Sequence, residues 1–230
     1  MRSRILPAVG VSAFALVAAT TFAPMASAQH APNAVLHHSA GVVHYAHTGA
    51  TCFSQGTKLD QSAVSSQNFE KANDAFDDMA ADDFKVGKAG CKITKVSVAG
   101  FYSSGTADSE NVTFYANKGG KPGATVKTFA NKAGTDDAGT FVIKLGKKGI
   151  SLKKGTYWVS VQINMDAGTA INQWYWATAK DGTGADAMWQ NPKDGFGVCK
   201  KWDSILTCNG VKHSALAKQL REGYKEGSEA

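Results

Sequence analysis

Residues 156–165, "TYWVSVQINM", decide the fold class because their side chains alternate between apolar and polar. The apolar face consists of Tyr157, Val159, Val161 and Ile163. The more polar face consists of Thr156, Trp158, Ser160 and Gln162. A period of two is typical of a β-strand with one buried face. The polar strand mates of Trp158 predict that this indole is exposed.

Similar short stretches lie on both sides of this strand, separated by turns rich in Gly and Lys. They include "NVTFYAN" (111–117), "TFVIKL" (140–145) and "NQWYWAT" (172–178). Short strands at intervals of ~8–12 residues are typical of sandwiches and barrels. We therefore predict an all-β, antiparallel, jelly-roll-like β-sandwich in one domain. Trp174, Trp176 and Trp189 are expected to pack its core, because large aromatic side chains are highly buried on average.

The chain ends are predicted to lie outside this domain. Residues 1–28 combine Arg2 and Arg4, an apolar stretch and a small-residue site at "ASA" (26–28), the pattern of a secretory signal peptide cleaved near Ala28. No other segment is long and apolar enough to span a bilayer. The mature protein is therefore expected to be secreted, to the periplasm or outside the cell.

The rest of the mature chain divides by composition. Residues 29–56 are predicted to be a flexible arm that holds five of the six histidines, residues 57–222 to be the sandwich, and residues 223–230 to be disordered. Within the domain, residues 57–85 are polar and acidic. There "SSQNFE" (65–70) could be a strand, and "KANDAFDDMAADDF" (71–84) suggests a loop leading into a strand rather than an amphipathic helix. Residues 214–222 have helical propensity, with a closing strand as the alternative.

The four cysteines indicate two disulfides, since an exported chain meets an oxidising compartment. Three pairings are possible. We favour Cys199 with Cys208, which closes a short loop, and Cys52 with Cys91, which ties the arm to the first strand region. A zinc site is the alternative, but the spacings lack a C-x₂-C knuckle.

Several motifs together resemble a recurrent jelly-roll-like β-sandwich domain of bacterial exported proteins of unknown function. They are "AADDF" (80–84), "VSVAGFY" (96–102), "VTFYANKGGKPG" (112–123), "GTYWVSVQ" (155–162) and "AMWQNPKDGFG" (187–197), followed by Cys-x₂-Trp. The resemblance covers residues 60–210 and implies the sandwich. It implies no catalytic residue set. The arm has no counterpart in the family, and the final segment is more polar than the family's closing strand.

The sequence lacks the usual catalytic signatures, and we favour a protein without enzymatic activity. There is no H-E-x-x-H, and "GFYSSG" (100–105) is not a nucleophile elbow. A hydrolase using two carboxylates remains an alternative, with Asp82 and Asp83, or Asp181 and Asp186, as candidate pairs. The lysines are scattered and the net charge is +6, which does not indicate nucleic-acid binding.

A structural calcium ion is predicted at Asp82 and Asp83, where several acidic residues precede the first strand of the domain. Turn formation is the alternative role for such aspartates. Clustered histidines in the arm could also bind a metal ion.

Exposed aromatic side chains are the remaining indication of function. Trp158 lies among polar strand mates, and Trp202 lies in the loop closed by Cys199 and Cys208. Amphipathic rings of this kind are enriched at binding surfaces, and amides and carboxylates beside them can bind sugar hydroxyls. We therefore predict a module that binds a glycan or a cell-surface polymer. Its predicted ligand-binding residues are Trp158, Trp202, Gln162 and Asp203. A structural envelope protein is a further alternative.

Overall fold

Strands form most of the described part of the protein. The computed structural model describes residues 33–35, 50–168, 172–212 and 215–222. The strands are β1 Asn33–Val35, β2 Thr51–Gln55, β3 Leu59–Ser65, β4 Gln67–Asn68, β5 Met79–Val86, β6 Cys91–Ile93, β7 Lys95–Val98, β8 Gly100–Ser104, β9 Ser109–Lys118, β10 Lys121–Lys132, β11 Thr135–Asp137, β12 Thr140–Lys144, β13 Ile150–Leu152, β14 Gly155–Asn164, β15 Gln173–Ala179, β16 Met188–Gln190, β17 Asp203–Ser204, β18 Ala215–Leu216 and β19 Lys218–Arg221. A 3₁₀-helix spans Lys71–Phe76, and the short helix α1 spans Ile205–Asn209.

One layer of the sandwich is a seven-stranded sheet with β14 near its centre. Its strand order is β10-β9-β14-β5-β16-β17, and β4 pairs in parallel with the end of β14. Val159, Val161 and Ile163 turn inward, as the alternation in β14 predicted, and all three are fully buried. The other face of this sheet points away from the main core and is called the outer face below.

Two five-stranded sheets form the opposite layer and meet at three alanines. Their strand orders are β11-β12-β7-β19-β2 and β1-β3-β15-β18, with β8 also paired to β15. The amide of Ala99 donates to Ala217, Ala217 donates to Ala177, and Ala177 donates to Ala99. Methyl side chains permit this close approach. Gly56 packs there with a φ of +78°, and a Cβ on it would lie 2.5 Å from the Cα of Ala217.

The main core between the layers contains three of the tryptophans. Trp174, Trp176 and Trp189 are fully buried, which confirms that they pack the sandwich. Each indole N–H donates to a backbone carbonyl oxygen, at 2.8 Å to Gly139, 2.8 Å to Ala217 and 3.0 Å to Ser65, respectively. These bonds satisfy the polar atom of each ring inside an apolar core. The antiparallel β-sandwich is thus confirmed.

The domain begins earlier than residue 57, and the predicted arm was too long. Strand β2 pairs with β19, and the backbone of Asn33–Val35 pairs with β3. Residues 71–84 follow the predicted order, with the 3₁₀-helix Lys71–Phe76 leading into β5, whereas Leu59–Ser65, which was not predicted as a strand, pairs with β15. Polar residues occupy strands here because their side chains find buried hydrogen-bond partners.

The C-terminal segment forms two short strands rather than a helix. Strand β19 pairs with β7 on one side and β2 on the other, so β-pairing and burial override the local helical propensity. The predicted signal peptide, the histidines of the predicted arm and residues 223–230 lie outside the described residues.

Both predicted disulfides are present. Cys52 pairs with Cys91 and Cys199 pairs with Cys208, with Cα–Cα distances of 5.9 and 5.7 Å. The first links β2 to β6, and the second closes the loop before α1. Among the described residues, no helix is long and apolar enough to cross a membrane.

Candidate binding face

The outer face of the seven-stranded sheet carries side chains that are almost all uncharged and polar along β9 and β14. Directly opposite pairs on this face are Trp158 with Tyr115, Ser160 with Thr113, Gln162 with Asn111, and Asn164 with Ser109. Residues two apart on a strand share a face, so these pairs form one continuous strip.

Four asparagines at one end of this strip form a hydrogen-bonded group, the amide cluster. Asn164 is its centre. Its Nδ2 donates to Ser109 Oγ at 2.8 Å and to Asn131 Oδ1 at 3.1 Å. Its Oδ1 accepts from Asn68 Nδ2 at 3.0 Å and from Asn111 Nδ2 at 2.7 Å. The four asparagines belong to four different strands, so the sheet holds their amide groups in fixed positions.

Hydroxyl and amide groups continue the strip toward its centre. Thr113 and Thr128 lie opposite each other on β9 and β10, with their hydroxyl oxygens 3.1 Å apart. Gln162 is half-buried, and its Nε2 donates to the carbonyl oxygen of Asp78 at 2.8 Å. The predicted ligand-binding residue Gln162 therefore lies on this face, with its amide oriented by the backbone.

Trp158 also lies on the outer face, but the prediction that its ring is exposed was wrong. The side chain is fully buried beneath loop residues and packs with Ala81, Tyr115 and Met188. Its Nε1 donates to Asn117 Oδ1 at 2.9 Å. The polar strand mates gave no sign of this cover, because the covering residues come from distant parts of the chain. Trp158 therefore supports the binding face and presents no ring to solvent.

Trp202 remains a candidate contact residue. It is half-buried, and its ring meets Tyr115 edge-on with the centroids 5.7 Å apart. The adjacent Asp203 forms an exposed ion pair with Lys121 at 3.2 Å. The backbone amide of Ser204, and then Lys121, lower the pKa of Asp203. An anionic carboxylate thus stands beside a partly exposed indole.

The four predicted ligand-binding residues are distributed along one face. Trp158, Trp202 and Asp203 come together at one end, while Gln162 lies four residues along β14 from Trp158, roughly 13 Å at the usual rise of a strand. The sequence analysis missed the amide cluster. The alternation in β14 placed Asn164 on this face, but only the pairing register brings Asn68, Asn111 and Asn131 to it.

The proposed calcium ligands do not converge, which corrects the calcium prediction. Adjacent strand residues point to opposite faces. Asp82 accepts from Lys218 Nζ and the Leu216 amide, each at 2.7 Å, whereas Asp83 accepts from the Ala185 amide at 3.0 Å. Among the described residues, no group of three or more His, Cys, Asp or Glu side chains could hold a metal ion.

The aspartate pairs considered for hydrolysis are also separated or engaged in structure. Asp82 and Asp83 face apart, and Asp181 accepts from Thr57 Oγ1 at 2.7 Å and from the Lys58 amide at 3.0 Å. A different acid has a strongly shifted pKa. Burial, and to a smaller extent the negative charge of Asp136, raise the pKa of Glu110 to about 7 against the opposing effect of the Gly134 amide.

Comparisons with known proteins give no relative. No family model, curated protein or solved structure matches this chain. Function therefore has to be argued from the residues of the site.

Proposed function

We propose that this protein is an exported binding module that recognises a glycan, or a cell-surface polymer built of sugars, through the outer face of the seven-stranded sheet. The observation that carries the proposal is the strip of uncharged hydrogen-bonding groups between the amide cluster and Trp202. The two disulfides are compatible with export, since such bonds persist in oxidising compartments.

The chemistry of the strip suits a neutral sugar polymer. Sugar hydroxyls both donate and accept hydrogen bonds, and amide and hydroxyl side chains do the same without charge. An indole offers an apolar face to the C–H side of a sugar ring and an N–H at its edge. A rigid sheet positions these groups before binding, which lowers the entropic cost of association.

The test is retention of the purified protein on a panel of insoluble and arrayed neutral polysaccharides. We expect Trp202→Ala to weaken binding at least tenfold, or about 1.4 kcal/mol, because truncation of one well-placed aromatic side chain commonly costs more than 1 kcal/mol. Asn164→Ala should weaken binding as well, because Asn164 orients three other amides of the cluster.

Phe101→Ala is the matched aromatic control. Phe101 is half-buried on β8 in the opposite layer, where it stacks on Tyr175 with the ring centroids 5.5 Å apart. Its removal should leave binding unchanged, provided that thermal denaturation shows a folded variant. Equal losses in Trp202→Ala and Phe101→Ala, or no retention on any polysaccharide, would contradict the proposal.

A hydrolase is the second candidate, and the shifted pKa of Glu110 favours it. A carboxyl group that stays protonated near neutral pH can act as a general acid beside a second carboxylate, here Asp136, which accepts from Tyr102 OH at 2.6 Å. Turnover of a polysaccharide or ester panel should then fall on the order of 100-fold or more in Glu110→Gln. The same panel should be unaffected by Asp186→Asn, an exposed acid elsewhere in the chain.

A further inference from the structure

One end of the sandwich carries a concentration of lysine side chains that the proposed glycan face does not use. We call it the lysine end, and its members are Lys85, Lys88, Lys92, Lys95, Lys144, Lys147, Lys148, Lys153 and Lys154. They come from residues 84–107 and 138–165, neither of which contains an Asp or a Glu. All are exposed except Lys95, which is half-buried.

Strand pairing brings these two segments together. Val86 lies opposite Gly155, β6 pairs with β13, and Lys95 lies opposite Lys144. The turns that follow β5 and β12 therefore close the same end of the molecule. Lysines separated by about 60 residues in the chain become one surface, which is why the sequence shows them only as scattered charges.

Like charges face each other directly across strands at this end. Lys144 and Lys95 lie directly opposite each other on β12 and β7. Like charges directly opposite on a sheet destabilise it. Within the part of the chain that the structure describes, none of the nine lysines forms an ion pair with an acid. Two acids border this end. They are Asp83, whose pKa is raised by burial against the smaller opposing effect of Lys85 and other groups, and Glu222 after β19.

Acidic side chains collect at the opposite end of the same strands. Strand β9 begins beside Asp108 and Glu110 and ends at Lys118, and Asp136 and Asp137 precede β12, which ends at Lys144. The charge of the domain is therefore separated along its long strands. Charge concentrated on one surface attracts a polyanion over distances of about a Debye length, ~8–10 Å at physiological salt.

The composition of the lysine end distinguishes among polyanions. Recognition of single-stranded nucleic acid uses stacking aromatic side chains, and recognition of base edges and phosphates favours the Arg guanidinium. Insertion into a membrane needs apolar anchors, but the exposed large apolar residues in the described part of the chain, Val126, Val198 and Leu206, lie outside both segments. An acidic polysaccharide needs only charges spread along a surface.

We propose that the lysine end binds an anionic, carboxylate-bearing polysaccharide. Of the nine lysines, only Lys85 lies on the outer face, opposite Thr156, and the other eight lie in turns or on other sheets. One domain thus contacts a neutral glycan along the polar strip and an acidic polymer at the lysine end, by different physical means. A cleft of about 490 Å³ lies beside the Cys52–Cys91 disulfide at this end, and Lys92 and Glu222 are the charged residues of its lining. The lysines of the turns around this cleft, rather than the cleft itself, therefore carry the positive charge of the surface.

The experiment measures binding of the full chain to polygalacturonate, with neutral dextran, a single-stranded RNA homopolymer and anionic lipid vesicles as comparison ligands. We expect polygalacturonate to bind at low salt and to be released by ~0.5 M NaCl, because screening shortens the range of exposed charges. The double variant Lys147→Glu/Lys148→Glu, in the exposed turn between β12 and β13, should weaken binding at least tenfold.

Lys58→Glu/Lys180→Glu is the matched control, since both lysines are exposed, lie outside the two segments and give the same change in net charge. Its affinity should stay within about twofold of the wild type, and Trp202→Ala should bind polygalacturonate normally. Equal losses in both lysine double variants, no binding at low salt, or tighter binding to RNA or vesicles than to polygalacturonate would overturn the proposal. Retention on neutral glycans is measured separately, so either site can fail alone.

Discussion

Asp78, just before β5, and Asp82, on β5, are both fully buried, but the protein stabilises their carboxyl groups in different ways. Asp78 is surrounded by neutral donors: its carboxylate accepts from the Gln67 amide at 2.7 Å and from the Ser65 hydroxyl. Asp82 instead faces the ammonium group of Lys218 at 2.7 Å, and neither side chain is exposed.

The two carboxyl groups therefore have different pKa values. Burial raises the pKa of Asp78 to about 8, because its hydrogen bonds from Ser65 and Gln67 only partly offset the desolvation. Burial raises the pKa of Asp82 only to about 6, because the positive charge of Lys218 opposes it. At pH 7 the first carboxyl is mostly protonated and the second mostly ionised. Hydrogen bonds alone can thus stabilise a buried carboxyl group that is neutral, whereas a buried carboxylate also needs a cation beside it.

The largest effect should come from Asp82→Asn. This change leaves the Lys218 ammonium buried without a counter-charge, and loss of one partner of a buried pair costs about 3–5 kcal/mol. Urea denaturation at pH 7 measures the free energy of unfolding. Asp78→Asn is the matched comparison and should cost about 1 kcal/mol or less, because it replaces a neutral carboxylic acid by a neutral amide.

Removing both charges should recover most of this loss. Asp82→Leu with Lys218→Met places apolar side chains where the pair stood, and such replacements of buried pairs are often neutral or stabilising. A double variant as unstable as Asp82→Asn would show that the hydrogen bonds that Asp82 accepts from Gln55 Nε2 and the Leu216 amide matter more than the charge of Lys218.

The pH dependence of the free energy of unfolding should distinguish Asp78 from Asp82. The pKa of Asp78 is higher in the folded than in the unfolded state, so the folded state holds a proton that the unfolded state has released above about pH 4. The contribution of this group is therefore complete below that pH and is lost as the pH rises toward 8. The change Asp78→Asn removes this pH-dependent contribution to stability. The stability of the wild type minus that of Asp78→Asn should fall between pH 4 and 8, by at most about 1.4 kcal/mol per pH unit. Parallel profiles would exclude a protonated Asp78.

A much smaller effect than that of Asp82→Asn should come from the far end of the network around Asp78. Tyr175 OH donates to Gln173 Oε1 at 2.9 Å, and Gln173 Nε2 donates to Ser65 Oγ at 2.9 Å. Tyr175→Phe deletes one bond and keeps the stacking on Phe101, so we expect a loss of about 0.5–1.5 kcal/mol. Thermal denaturation at pH 7 measures it. A loss as large as that of Asp82→Asn would mean that the network acts as one unit.

These two aspartates also show what the sequence could predict of the fold. The alternation of β14 gave its inward face correctly, since burial on one side follows directly from apolar periodicity. Leu59–Ser65 was not predicted as a strand, and Lys218–Arg221 was predicted as one only as the alternative to a helix. Their polar side chains are buried beside partners more than 10 residues away, as with Ser65 and Asp78, or more than 100 away, as with Lys218 and Asp82.

The candidate site was likewise only partly predictable from the sequence. The sequence placed Trp202 in a disulfide-closed loop and Gln162 on a polar strand face, and the structure has both on the outer face. It could not predict that loops cover Trp158, or that four asparagines meet around Asn164. Both depend on which strands become neighbours, and strand register is a property of the whole fold rather than of any one stretch.

The position of β19 has a consequence for synthesis of the protein. This strand completes its sheet between β2, from the start of the domain, and β7. Until residue 221 has been made, Val96 and Val98 lack a neighbouring strand on that side and Asp82 lacks its lysine. A topology that joins the two ends of a chain folds slowly and late. The last step in folding of this sheet therefore has to wait until the C-terminal end of the domain has been synthesised.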